Sequence, residues 1–164
     1  MKVWIRADGN EQIGTGHVMR CLAIAEALEA AGVSVCFVMA DDAAAQLVKS
    51  RGKKARILHT RYDRMEEELP VLTAVMETEH PDMLLIDSYY VSDAYLQQLT
   101  EQVWTVYIDD KSFRSYPVNM IINYNIYGDR SLYHPEPVYS LMGAAYAPLR
   151  PEFRNVEYPV REQG

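Results

Sequence analysis

The chain has 164 residues, 49% of them hydrophobic and 24% charged, with a formal net charge of −7. This length suits one domain with a sizeable core, and an acidic balance without a basic stripe excludes a nucleic-acid partner. Cys21 and Cys36 lack CxxC spacing and metal-ligating companions, so both read as buried inert thiols suited to a reducing cytoplasm, and neither a signal peptide nor a membrane-spanning run is expected.

Strand-like and helix-like segments alternate along the chain. Residues 2–7, KVWIRA, read as a buried first strand. Residues 17–32 read as a helix, because Val18, Cys21, Leu22, Ala25 and Leu28 follow the helical period while Glu26 and Glu29 face outward. Gly32 is placed to end it in a left-handed cap. Residues 33–39, VSVCFVM, form a second apolar strand. A short helix follows, with Asp42 as its expected N-cap and Gly52 beyond its end. Residues 54–59 are the third strand. Glu66, Glu67 and Glu68 read as a solvated helix face. Pro70 starts a fresh helix or kinks a longer one, and Pro81 forbids its continuation. Residues 82–87 are the fourth strand, 92–102 a capped helix, 103–109 the fifth strand, 118–123 the sixth and 138–143 the seventh. The proline-rich, charged stretch 147–164 reads as a tail or linker.

Continuous apolar strands alternating with helices predict an α/β domain, a single Rossmann-like, doubly wound parallel sheet covered on both faces. Ligands of such sheets sit beyond the carboxyl ends of the strands. The residues there run from Asp8 to His17, then Asp41 and Asp42, Asp87 to Tyr90, Asp109 and Asp110, and Asn123 to Tyr127. Polar loops fed by apolar strands are the family-independent pointer to a site.

Within these loops Gly14-Thr15-Gly16-His17 joins the first strand to the first helix. Glycines permit positive φ and close approach of a ligand to the backbone, and the helix offers unpaired N–H groups. A dinucleotide fingerprint needs a third glycine at 19, where Met19 stands, so the motif alone is also compatible with a plain strand-to-helix turn. A helix N-terminus disfavours a cation, and Arg20 lies one turn on, so both effects favour an uncharged His17 imidazole suited to a general base, with nearby Asp8 as the opposing charge. Asp87, Ser88, Tyr89 and Tyr90 lie beyond the fourth strand; Asp87 reads as a cap of the next turn, and Tyr89 and Tyr90 as rim packing or a ring laid beside a sugar with its hydroxyl free to bond. Asp109 and Asp110 are either an acid–base pair or a turn cap. His59, His80 and His134 are too scattered for a metal shell, and no metal or other cofactor is expected.

Taken together, IRADGNEQIGTGHVMRCLAIAEAL, LLIDSYY, YIDD, INYNIYG and GAAYAPLRPEF resemble the UDP-diacetamido-trideoxy-altrose hydrolases of pseudaminic acid biosynthesis and the related spore-coat polysaccharide proteins. The resemblance covers nearly the whole chain. It implies a two-domain glycosyltransferase-B (GT-B) fold used, without metal, to add water at the anomeric carbon of a UDP-sugar with inversion. By motif match it gives His17 the catalytic role and makes Tyr89 the active-site tyrosine. Asp8, Gly14 and Gly16 would shape the sugar pocket, and Asn123 and Asn125 match an asparagine-containing loop. The strand-end carboxylates Asp87 and Asp109 join this substrate-binding set.

The resemblance further implies that residues 1–149 are an N-terminal, sugar-side domain. Residues 150–164 would then lead toward a C-terminal nucleotide-binding domain or partner chain that this sequence does not contain. The expected small molecule is a UDP-sugar and the expected location is the cytoplasm. Three alternatives stay open: a glycosyltransferase half using a sugar acceptor, a non-catalytic binding subunit of a split enzyme, and a dinucleotide-binding domain with Asp41 or Asp42 on the ribose.

Overall fold

The apolar runs become strands wherever the sequence places them. In a computed structural model that describes residues 1–111 and 113–153, these are β1 (Lys2–Ala7), β2 (Ser34–Met39), β3 (Lys54–Ile57), β4 (Met83–Asp87), β5 (Trp104–Ile108), β6 (Met120–Asn123) and β7 (Tyr139–Met142). They form one parallel sheet in the order β3-β2-β1-β4-β5-β6-β7. The chain winds outward from β1 to β3, returns to the centre, and continues from β4 in the other direction. The crevice between the carboxyl ends of β1 and β4 is therefore the switch point at which doubly wound sheets bind ligands.

The helices are α1 (Gly16–Ala30), α2 (Ala45–Ser50), α3 (Leu69–Glu79) and α4 (Asp93–Thr100). Side chains alternate across each strand, which divides the core in two. Val3, Ile5 and Ala7 of β1 meet Val18, Cys21, Leu22 and Ala25 of α1 on one face. Trp4 meets Leu72 and Met76 of α3 and Leu96 and Leu99 of α4 on the other. Gly32, at φ +80°, follows the end of α1 as expected, and its N–H donates to the Glu29 carbonyl (2.9 Å). Pro70 lies in the first turn of α3, and the Ser92 hydroxyl caps α4 by accepting from the Tyr95 N–H (3.1 Å).

Two local expectations are corrected. Asp42 does not cap α2: the helix starts three residues later with Ala44 at its cap position. The carboxylate that organises this turn belongs to Asp41, whose Oδ1 accepts from the Ala43 N–H (2.9 Å). The glutamate run is not one solvated face. Glu66 and Glu67 are exposed, but Glu68 is fully buried. It lies in a one-turn 3-10 helix, Met65–Glu68, and accepts from both Nε and Nη2 of Arg6 (2.7 Å each) and from the Tyr95 hydroxyl (2.7 Å). A bidentate guanidinium offsets the water that a carboxylate loses on burial.

Part of the expected tail is structured. Tyr146, Ala147, Pro148 and Leu149 close an apolar groove of about 480 Å³ against α1, and Pro151–Phe153 form a 3-10 turn. Residues 154–164 of that expectation lie outside the described residues. Among the described residues, no helix is long and apolar enough to cross a membrane.

Candidate active site

The crevice is built by the turn from β1 to α1. Gly14 adopts φ +71°, which a side-chain-bearing residue rarely does. The Asn10 N–H donates to the Gly14 carbonyl (3.3 Å), and Asn10 Oδ1 accepts from the N–H groups of Gln12 and Ile13. Gly9 sits beneath this turn, where a Cβ would come within 3.1 Å of the Gly14 oxygen and 3.2 Å of Val18. The tight turn brings the first residues of α1 directly over the end of β1. A Cβ at Gly16, the first helical residue, would meet nothing within 4 Å, so this side of the turn is open.

His17 therefore stands at the mouth of α1, opposite the end of β4. It is 8% exposed. Its Nδ1 lies 2.6 Å from Oδ1 of the buried Asp87, and its ring meets that of Tyr89 edge to face, with centroids 4.6 Å apart. Asp87 also receives Nε and Nη2 of Arg20 on its two oxygens. Burial alone would push the Asp87 carboxyl up, but the hydrogen bonds from Arg20 and His17 outweigh it and hold the group below its ordinary range. An ionised carboxylate only accepts. The short contact to His17 is therefore an Nδ1–H donation, and the 3.0 Å approach of Arg20 Nη2 to the same nitrogen is a contact between two donors. Among the described residues no group bonds Nε2, the nitrogen that carries the lone pair in the neutral Nδ1–H tautomer.

Arg20 extends the cluster. Its Nη1 donates to Asp110 Oδ2 and to the Tyr124 hydroxyl (2.6 Å). Asp110 Oδ2 also accepts the Tyr89 hydroxyl proton at 3.1 Å. Partial burial, followed by this bond to Asp110, raises the Tyr89 phenol above its usual value. Lys111 places its ammonium 4.9 Å from the centre of the Tyr89 ring.

Of the expected site residues, the structure thus brings His17, Tyr89 and Asp87 together, with Gly14 and Gly16 shaping the adjacent turn. Asp8, Asp109 and Asn123 have other employment. Asp8 takes Arg6 Nη1 on one oxygen and the Ala40 N–H on the other (2.8 Å), tying β1 to the end of β2. Asp109 accepts from the N–H groups of Lys111 (3.2 Å) and Phe113 (2.9 Å) and from the Tyr133 hydroxyl (3.0 Å). Asn123 donates to that same hydroxyl (2.9 Å) and accepts from the Asn125 N–H. Asn125 reaches the site indirectly, donating to the Asp110 carbonyl (3.1 Å). Arg20, Asp110 and Tyr124 complete the cluster; the sequence places Asp110 and Tyr124 in strand-end loops and Arg20 one turn beyond His17, but gives none of them a substrate-binding role. The available signal was the helical i, i+3 spacing of His17 and Arg20.

The seven-stranded parallel sheet with its cleft at the β1–β4 switch point is a doubly wound α/β fold, and its solved neighbours define the class: one half of a GT-B fold. Over 75% of its length the chain matches 41% of Acinetobacter baumannii MurG, with a TM-score of 0.56 at 13% identity. Over 66% it matches 34% of the spinosyn rhamnosyltransferase SpnG, with a TM-score of 0.51 at 15% identity. Within that class the sequence is similar to the UDP-2,4-diacetamido-2,4,6-trideoxy-β-L-altropyranose hydrolase of Campylobacter jejuni, at 28% identity over 158 residues and 93% of this chain. The chain spans 53% of that relative's length. No protein-family model matches it.

Proposed function

We propose that this chain is the sugar-side half of a UDP-sugar hydrolase. What supports the reading is one observation: the imidazole at the switch-point cleft is bonded through Nδ1 to Asp87, stands edge to face with Tyr89, and has no group bonded to Nε2 among the described residues. A base needs a free lone pair within reach of the proton it removes. In the proposed reaction a water oxygen attacks the anomeric carbon while His17 Nε2 takes a water proton. The bond from that carbon to the diphosphate oxygen breaks, its electron pair leaves with UDP, and attack from the opposite face inverts the configuration. Positive charge developing on the sugar ring is offset by nearby oxygens, as in other glycosyl transfers.

In this reading residues 1–149 carry the sugar and residues 150–164 lead toward a nucleotide-binding domain or partner that holds most of the UDP. The acidic balance of the chain, −7 overall, suits a diphosphate held elsewhere. The reaction would serve cytoplasmic biosynthesis of a bacterial nonulosonic acid or spore-coat polysaccharide.

The fold neighbours favour a second reading, transfer of the sugar to an acceptor hydroxyl in place of water. Incubating the full-length protein with UDP-sugars alone separates the two. Hydrolysis releases UDP without an acceptor and gives the inverted free sugar by NMR; transfer releases UDP only when an acceptor is added. His17→Ala should lower turnover by about a hundredfold or more, and a loss under threefold would remove His17 from the mechanism.

A further inference from the structure

Arg20 is the hub of the cleft. It lies one helical turn beyond His17, so both project from one side of α1, and its guanidinium donates to carboxylates from two different strand ends, Asp87 and Asp110. Each of those carboxylates binds one cleft group in turn. Asp87 takes the Nδ1–H of His17 and Asp110 takes the hydroxyl proton of Tyr89. The direction of both bonds follows from the donors: Asp87, held below its ordinary range, accepts the Nδ1–H, and the Tyr89 hydroxyl donates to Asp110 Oδ2. Tyr89 Oη also lies within reach of the Arg20 guanidinium; because its proton goes to Asp110, it offers the cleft a remaining lone pair, as does Nε2 of the Nδ1–H imidazole.

We infer that Arg20 and Asp110 are positioning residues that present both His17 and Tyr89 as hydrogen-bond acceptors, His17 toward the attacking water and Tyr89 toward the neutral, donor-bearing edge of a sugar (its O–H or N–H groups) and not an anionic oxygen. This rests on the sugar-side reading above and adds which part of the ligand is recognised. The Arg20 guanidinium is engaged by carboxylates on both sides, Asp87 and Asp110. Lys111, the nearby cation, is stacked over the Tyr89 ring.

Two measurements test it. The first needs no ligand. Imidazole nitrogen NMR of the protein should show His17 with hydrogen on Nδ1 and a bare Nε2. In Arg20→Gln, whose fold is checked by its melting curve, a second tautomer or a doubly protonated ring should appear, and Arg20→Lys should restore part of the wild-type signal. An Nε2–H tautomer in the wild type, or an unchanged spectrum in Arg20→Gln, overturns the assignment whatever the protein's activity.

The second uses UDP-N-acetylglucosamine and UDP as probes of the full-length protein. In Asp110→Asn the amide can donate to Tyr89 and turn its hydroxyl proton toward the cleft. UDP-N-acetylglucosamine should bind about tenfold more weakly, the cost of one hydrogen bond, while UDP binding stays within twofold. Tyr89→Phe should lose the same factor, and the double variant no more than either. Equal weakening of UDP, additive losses or no change overturns the inference. If UDP binds and the sugar adds nothing in the wild type, the sugar-side reading fails with it, and the ligand-free spectra still decide the polarity of the two groups.

Discussion

Nδ1 of His17 stands 2.6 Å from Oδ1 of Asp87 across 70 residues of sequence. The contact joins the first turn of α1 to the last residue of β4, so the sheet and the helix together fix the orientation of the imidazole. Asp87→Asn should separate orientation from binding. An amide in that place can donate to Nδ1 and drive the proton to Nε2, the wrong tautomer for a base. Turnover by the full-length protein should fall by about 10²- to 10⁴-fold, with UDP affinity within threefold. A loss below tenfold would mean that Asp87 does not set the tautomer.

The same carboxylate makes the fold sensitive to acid. Asp87 is held below its ordinary range in the folded chain, so the unfolded chain binds more protons as pH falls through the carboxylate range. Its contribution to stability is fully present above the ordinary carboxyl value of about 4 and is lost as pH drops through the depressed folded value. The melting temperature should therefore fall below about pH 4, and Asp87→Asn should flatten that limb. An equal slope in the variant would assign the acid sensitivity elsewhere.

Three adjacent glutamates should behave as unlike residues. Glu68→Ala leaves the Arg6 guanidinium, itself fully buried, short of its bidentate partner and should cost about 3–5 kcal/mol. Glu66→Ala and Glu67→Ala, at exposed positions, should stay within about 0.5 kcal/mol. Urea unfolding of the three variants measures this, and a Glu68→Ala cost near that of its neighbours would show the buried cluster to be energetically idle.

The thiols should differ in the same way. Burial, then the Asp87 charge, pushes the Cys21 thiol well up, and burial raises the half-buried Cys36 against the opposing cations Arg56, Lys54 and Lys2. Reactivity follows the thiolate fraction and access. Alkylation at pH 8 followed by mass spectrometry should modify Cys36 first and leave Cys21 protected until the chain unfolds. Equal rates would contradict the packing of α1 against β4.

These contrasts show what the sequence could and could not tell. Strands and helices were legible because apolar periodicity is a local property, and the β1–β4 crevice followed from their order. Which strand-end residues enter the crevice was less legible. Adjacent residues point to opposite faces, and a ±1 error in a strand's end changes the answer. Asp87 and Asp110 lie on the α1 face, where Arg20 meets them. Asp109 and Asn123 share the buried Tyr133 hydroxyl, and Asp8 turns toward Arg6. Both of those partners pack with the α3–α4 side of the sheet. Glu68 was misread for a related reason: its partner Arg6 is 62 residues away, and only the tertiary fold makes one glutamate in three a core residue.

Glycines 14 and 16 offer the sharpest separation of folding from function. Gly14 holds φ +71°, so Gly14→Ala should cost about 1 kcal/mol of strain whatever the ligand. Gly16 begins α1 and has no such constraint, and a methyl group there meets no protein atom within 4 Å. Gly16→Ala should therefore stabilise the fold by about 0.4–1 kcal/mol, chiefly by restricting the unfolded chain. If the open space beside the turn is where the sugar lies, the same methyl group should weaken binding of a UDP-sugar about tenfold through a clash that a rigid turn cannot relieve, with UDP alone little affected. Thermal melts and calorimetric titrations of the full-length variant read both effects. A more stable protein with unchanged UDP-sugar affinity would place the ligand away from this turn, and with it away from the imidazole that the turn presents.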